Sequence, residues 1–267
     1  MNISQRTFVS FDEPCPYQCK HCYTYDIKRE KFRTAEEIVA SISNDKFDII
    51  YVSQKNDNFA EPLKGLDLCN ALFKRYNCNL FIITRNTFNQ EEIEILKKLQ
   101  SEMRQSNKYI FIAVSINAID SVNVCENVEK VCTPDERINF IKRLSEENLF
   151  PILMLRPVFP NEIIPVKECL QIIERTHQYI SCVVSSGLGV NNSILDRLKK
   201  GESDFSYYQN QEYLQGAIDC EIKFIDVDFE LKKIREKCHE LDVTFFEHSM
   251  PSLNYVAKLS AQFNNPN

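Results

Sequence analysis

The sequence predicts an α/β fold, a parallel sheet curled into a full or partial TIM-like barrel with a short C-terminal extension. Short apolar segments alternate with amphipathic helical stretches along most of the chain. Strands that are nearly continuously apolar belong to parallel sheets covered by helices on their faces. Right-handed connections then curl such a sheet toward a barrel. No linker, repeat or low-complexity tract interrupts the 267 residues. One domain over 1–267 is expected, with core motifs in about 7–185 and with 186–267 completing and extending the barrel.

Thr7 to Phe11 reads as the first strand, followed by a cysteine-rich loop. Thr34 to Ser43 is a helix opened by a capping box, with Thr34 at the cap and Glu37 three residues on. Phe47 to Val52 is the second strand, and the polar loop Ser53 to Glu61 leads into a helix ending near Tyr76. Leu80 to Thr84 is the third strand, and Gln90 to Gln105 a helix with Ile93, Leu96 and Leu99 on one face. The fourth strand is Tyr109 to Ile116. Thr133-Pro134-Asp135-Glu136 then forms a second capping box with proline at the first helical position. The helix it opens turns Ile138, Ile141 and Leu144 inward. Pro151 to Val158 is the fifth strand, Val166 to Thr176 a helix, and Tyr179 to Ser185 the sixth strand. Regularity weakens through Tyr208 and Tyr213. A last helix, with Leu231, Ile234, Cys238 and Leu241 on one face, leads into the strand Val243 to Phe246.

The chain is 43% hydrophobic and 26% charged, which fits a protein with a large core and argues against disorder. No run approaches the ~18 apolar residues of a membrane helix. Met1 to Thr7 is too polar for a signal peptide, so a cytoplasmic location is expected. Eleven cysteines in so core-rich a chain read as thiols of a reducing compartment, bound to metal or buried, rather than as disulfide staples. A net charge of −6 supplies no broad attraction for duplex DNA.

The residues that carry chemistry are Cys15, Cys19 and Cys22, spaced C-x3-C-x2-C on the loop after the first strand. Three thiolates this close can ligate three irons of one [4Fe–4S] cubane. The fourth iron then stays open, as in a catalytic zinc site, and can chelate the amino and carboxylate groups of S-adenosylmethionine (SAM). An electron from such a cluster cleaves the sulfonium and releases a 5′-deoxyadenosyl radical. Ligands on a loop after a strand's C-terminal end also sit where α/β barrels carry their sites. The rival is zinc with His21 as fourth ligand, in a non-catalytic metal-binding or redox-sensing protein. His21 adjoins Cys22, which makes joint tetrahedral ligation awkward, and no second ligand pair follows at zinc-finger spacing.

Cys15-Pro16-Tyr17-Gln18-Cys19-Lys20-His21-Cys22-Tyr23-Thr24-Tyr25 resembles the cluster loop of the radical SAM superfamily, with His21 as the aromatic residue before the last cysteine. The resemblance extends to the spore photoproduct lyase-like branch. It runs through the Ser53 to Pro62 loop with Asp57, Ile82-Ile83-Thr84-Arg85, Val114-Ser115-Ile116-Asn117, Thr133 to Arg137, and Leu155 to Pro160. It covers roughly Phe8 to Ser185, and the cysteine loop is its specific part. It implies a partial (β/α)6 TIM-like barrel with SAM bound at its mouth beside His21, an electron donor such as flavodoxin or ferredoxin, and Ser115 and Asn117 near the ribose hydroxyls. Tyr23 would lie near SAM and substrate, where it could relay a hydrogen atom or simply pack.

Two departures stand out. Where many members carry Gly-Gly-Glu for the SAM amino group, this chain has Ser53-Gln54-Lys55-Asn56, so Ser53 or Gln54 is the candidate. The hydrogen-donating cysteine of the photoproduct lyases has no counterpart between Cys22 and Cys69. With the charge of −6, and a first strand already under way at Thr7, the expectation is that the chain does not repair thymine photoproducts in duplex DNA.

Arg85 and Arg156 each end an apolar strand, where a guanidinium can pair with the SAM carboxylate or be salt-bridged within the mouth. Ser115 and Asn117 could equally cap a turn. Ser185-Ser186-Gly187-Leu188-Gly189 follows the sixth strand and could bring backbone close to the adenine. Cys69, Cys78, Cys169 and Cys238 read as core, and Cys125 and Cys132 support no second cluster. His239 and His248 read as surface or satisfied histidines, and Phe205 to Tyr213 as a substrate lid or a barrel closure. The substrate stays open among peptides, nucleotides and small metabolites.

Overall fold

A computed structural model describes residues 3–11, 13–25, 33–42, 46–53, 55–208 and 222–264. Its first half runs β1 (Arg6–Val9), α1 (Ala35–Ser41), β2 (Ile49–Val52), α2 (Pro62–Tyr76), β3 (Asn79–Thr84), α3 (Gln90–Gln105) and β4 (Ile110–Ser115). There follow α4 (Val122–Cys125), α5 (Pro134–Glu146), β5 (Ile152–Val158), α6 (Val166–Thr176) and β6 (Cys182–Gly187). The rest comprises β7 (Gly189–Val190), α7 (Asn192–Leu198), β8 (Tyr207–Tyr208), β9 (Lys223–Ile225), α8 (Asp228–Glu240), β10 (Phe245–Phe246) and α9 (Ser249–Asn264).

Seven strands form one sheet in the order β1-β2-β3-β4-β5-β6-β10, every neighbouring pair parallel. Among the described residues no strand pairs with the outer edge of β1 or β10, so the curl is a partial barrel, as the resemblance implied. Alternate residues explain the apolar runs. Ile50, Val52, Leu80, Ile82, Ile112, Val114, Leu153 and Leu155 pack in one cluster with the covering helices. Tyr51, Phe81 and Phe111 lie in register across three strands. With Ile152, Met154 and Val184 they form a second cluster, on the other face.

That second cluster is completed by Leu253, Val256 and Ala257 of α9. The helix expected to be last is therefore followed by another of 16 residues. Its apolar positions are interspersed with serine, asparagine and glutamine and form no single stripe, so they gain meaning only against the sheet. Pro251 falls in its first turn, where the missing N–H costs no helical hydrogen bond. The weakly patterned stretch after β6 contains a three-stranded antiparallel sheet, β7-β9-β8. Gly187 and Gly189 let it approach: an added Cβ would lie 2.8 Å from Val227 at one and 2.8 Å from Ile222 at the other. Residues 209–213 of the expected lid lie outside the described residues.

Both expected capping boxes form, at Thr34–Glu37 and Thr133–Glu136, and Asn89–Glu92 makes a third. Cys69, Cys78, Cys169 and Cys238 are buried core residues. Among the described residues no helix is long and apolar enough to cross a membrane.

Candidate cofactor site

A cavity of about 1130 Å³ opens among the loops that follow the strands. Cys15, Cys19 and Cys22 line it together, all as free thiols. The loop folds back on itself through Cys22 N–H to Cys19 O (3.0 Å) and Tyr25 N–H to Cys22 O (3.3 Å). Lys20 N–H to Cys125 O (2.9 Å) ties it to α4. Tyr17 and Val131 bury an apolar shell around the three thiols, with Ala60 beside them. Burial pushes the Cys19 thiol up to about 12. Burial also raises Cys15, against which the backbone amides of Asp57 and Tyr17 favour its thiolate. Thiols so placed ionise when a metal supplies the opposing charge. Among the described residues no three His, Cys, Asp or Glu side chains gather as a single ion requires. A cubane, whose thiolates bind three different irons, makes no such demand.

His21 has both ring nitrogens engaged. Its Nδ1 lies 3.0 Å from Cys125 O and its Nε2 3.1 Å from Arg85 Nη2. The carbonyl needs a proton from Nδ1, so Nε2 accepts from the guanidinium, and the ring is neutral. Burial, then the charge of Arg85, lowers its pKa to about 3. With both nitrogens engaged, His21 is not placed as the fourth zinc ligand of the rival reading. Its ring packs edge-on against Phe159, centroids 5.5 Å apart.

Arg85 is the hub of a buried polar network. Its Nη1 reaches Ser115 Oγ (2.7 Å), Asn117 Oδ1 (2.8 Å) and Glu126 Oε1 (3.1 Å). Arg137, fully buried, grips the same carboxylate through Nη2–Oε2 (2.6 Å) and Nη1–Oε1 (3.1 Å), and donates to Ser115 O (2.6 Å). Burial alone would raise Glu126; the charges of Arg137 and Arg85 overcome it and hold the carboxyl below its ordinary range. Asp57 joins the loop after β2 to the end of β3, accepting from Arg85 N–H (2.7 Å), Thr84 Oγ1 (3.0 Å) and Phe59 N–H (3.0 Å). Burial raises its pKa to about 6.

Of the other predicted residues, Ser53, Tyr23, Arg156, Ser115 and Gly187 line the cavity, and Gln54 lies outside the described residues. Ser53 Oγ and Asn56 Oδ1 are buried without a hydrogen-bond partner among the described residues. Such orphaned acceptors are costly unless a donor arrives. Arg156 donates from Nε to Ser186 Oγ (2.5 Å), and no described carboxylate pairs with it. Asn117 and Ser185 turn away from the cavity: Asn117 Nδ2 donates to Pro157 O (2.8 Å) and Ser185 Oγ to Leu155 O (3.0 Å).

Sequence reasoning missed Glu126, Arg137 and Arg197. Arg137 carried a legible sign, since it falls with Phe140, Ile141 and Leu144 on the apolar face of α5, where a lone charge demands a partner. Arg197, on α7, donates from Nε to Lys20 O (2.9 Å) and from Nη2 to Cys22 O (2.8 Å). Only the tertiary fold brings it to a loop 175 residues away.

The family model described as "Radical SAM superfamily" matches residues 11–173. A search of curated proteins found no match. Among solved structures, a mutant of spore photoproduct lyase with one cysteine replaced by serine superposes with a TM-score of 0.59 at 12% identity, covering 93% of this chain and 79% of that one. A doubly substituted mutant of that enzyme, with bound AdoMet and dinucleoside spore photoproduct, gives 0.55 at 13% identity, covering 88% and 74%. Likeness at that identity establishes a shared fold. The family match spans more than half the chain and includes the cysteine loop, the Arg85 hub and the Glu126–Arg137 pair, so this protein belongs to the radical SAM superfamily of enzymes.

Proposed function

We propose that Cys15, Cys19 and Cys22 hold a [4Fe–4S] cluster and that SAM binds beside it in the cavity. When bound, the pair supplies reductive cleavage of SAM to a 5′-deoxyadenosyl radical that takes a hydrogen atom from a substrate. The observation that carries this reading is one cavity that holds three free thiols together with two orphaned buried acceptors, Ser53 Oγ and Asn56 Oδ1. An ammonium group is the donor that such acceptors lack.

In this reading Ser53, with Gln54 next to it, takes the SAM amino group, and Arg156 takes the carboxylate. The guanidinium of Arg85 is already committed to four partners, so it serves the site by fixing His21, Ser115 and Asn117. Ser115 accepts from Arg85 and keeps its own hydroxyl proton for a ribose oxygen. Backbone at Gly187 borders the adenine, and Tyr23 is the candidate hydrogen-atom relay. A low-potential donor such as flavodoxin or ferredoxin supplies the electron in the cytoplasm, where thiols stay reduced. The substrate is a peptide, nucleotide or small metabolite.

The test is anaerobic reconstitution, chemical reduction and SAM, followed by assay for 5′-deoxyadenosine. Nucleoside formation that depends on the cysteines supports the reading; its absence from iron-loaded protein sinks it. Offered a photoproduct-bearing oligonucleotide, the same enzyme is expected to form 5′-deoxyadenosine without repair, and multiple turnovers to thymine would contradict that.

A further inference from the structure

We propose that Arg197, which lies beyond the stretch matched by the family model, is a positioning residue for the cysteine loop. With Arg85 acting through His21, it holds the loop in its cluster-binding shape before any cluster arrives. The inference rests on the cluster assignment of Cys15, Cys19 and Cys22.

The carbonyls of Lys20 and Cys22 flank His21, and one guanidinium satisfies both, at 2.9 and 2.8 Å, through two different nitrogens. A planar fork fixes the separation of the two carbonyls it bridges, which a single ammonium cannot do. The fork is itself held. Its Nη1 donates to Ser193 Oγ one turn back on α7 (2.6 Å), and its face lies 4.4 Å from the centroid of Tyr25. From the other side, His21 is gripped at both ring nitrogens, by Cys125 O and by Arg85.

The segment between the second and third cysteines is therefore clasped by its backbone from α7 and by its side chain from β3 and α4. Ordering a short loop costs conformational entropy, and a ligand that meets the loop already ordered does not bear that cost. Metal ligands placed on a loop need this kind of outer support to hold their geometry.

Hydrogen exchange on the metal-free, reduced full-length chain reads loop order without any cluster or turnover. The amides of Lys20, Cys22 and Tyr25 are expected to exchange at least about tenfold more slowly than unstructured amides. Arg197→Met is expected to abolish that protection while leaving the Ile112 amide in β4 protected. Arg197→Lys is expected to restore part of it. After reconstitution the Arg197→Lys protein should take up full iron and lose it to a chelator about tenfold faster than wild type, the scale of one charged hydrogen bond. Unprotected loop amides in the wild-type chain would overturn the proposal even if Arg197→Met failed to fold. Unchanged protection in folded Arg197→Met, or equal iron loss in Arg197→Lys, would overturn it as well. Protection that depends on Arg197 in a chain that binds no iron would uphold the loop-holding role and remove the cluster assignment instead.

Discussion

Neutralising Glu126 is the perturbation whose cost the structure makes most explicit. Its carboxylate sits between Arg137, bidentate at 2.6 and 3.1 Å, and Arg85 at 3.1 Å, with almost no exposure. Glu126→Gln keeps the shape and removes the charge, leaving two buried guanidiniums without an acid between them. Breaking a buried pair in this way costs about 3–5 kcal/mol, a large share of the ~5–15 kcal/mol that holds a typical domain. Urea denaturation of the metal-free protein should register it, along with a fall of roughly 10 °C in Tm. Adding Arg137→Met should recover part of the loss, because the second substitution removes one stranded cation, and a double-mutant cycle would measure the coupling. The pH dependence has a definite sign. Burial raises the Glu126 pKa, but the two arginines depress it more strongly, so the folded value lies below the unfolded one. Its contribution is therefore present above the unfolded pKa, about 4, and is lost as pH falls through the folded value. The gap between wild type and Glu126→Gln should shrink on acidification. A variant within about 0.5 kcal/mol of wild type, or a gap that widens in acid, would refute this reasoning.

Three further outcomes follow from the same geometry. Alanine at Cys15, Cys19 or Cys22 should sharply reduce bound iron and abolish SAM cleavage, whereas alanine at Cys69 or Cys238 should cost roughly 1–2 kcal/mol of stability and leave iron content intact. Arg156→Ala should weaken SAM binding by about 1.5–3 kcal/mol in a titration of cluster-loaded protein, and Arg156→Lys should fall short of wild type because it lacks the fork. Thr133→Ala should cost about 1 kcal/mol through the lost cap on α5, with SAM affinity unchanged.

The strand–helix alternation was legible because a parallel sheet is apolar on both faces and each helix has one apolar face, so α3 and α6 end where their periodicity ends. The three ligand candidates were legible because their spacing is local. What lay hidden depends on distant partners. Arg85 was left open between the SAM carboxylate and a salt bridge within the mouth; the fold pairs it with Glu126, whose chain neighbours reveal nothing of the pairing. Helix α9 spreads its apolar residues around the helix instead of along one stripe, so no amphipathic pattern stands out, and only the open face of the sheet explains them. Gly187 was read for closeness to a ligand; it lines the cavity, and the fold also packs it against Val227, which the sequence did not reveal.

The most direct test of the cluster assignment is Mössbauer spectroscopy of the anaerobically reconstituted chain, recorded with and without SAM. About four irons per chain in one cubane are expected, with the signal of a single iron changing when SAM is added, because three are held by thiolates and one is open. A chain that takes up zinc and no iron, or a cubane whose irons are all indifferent to SAM, would contradict it.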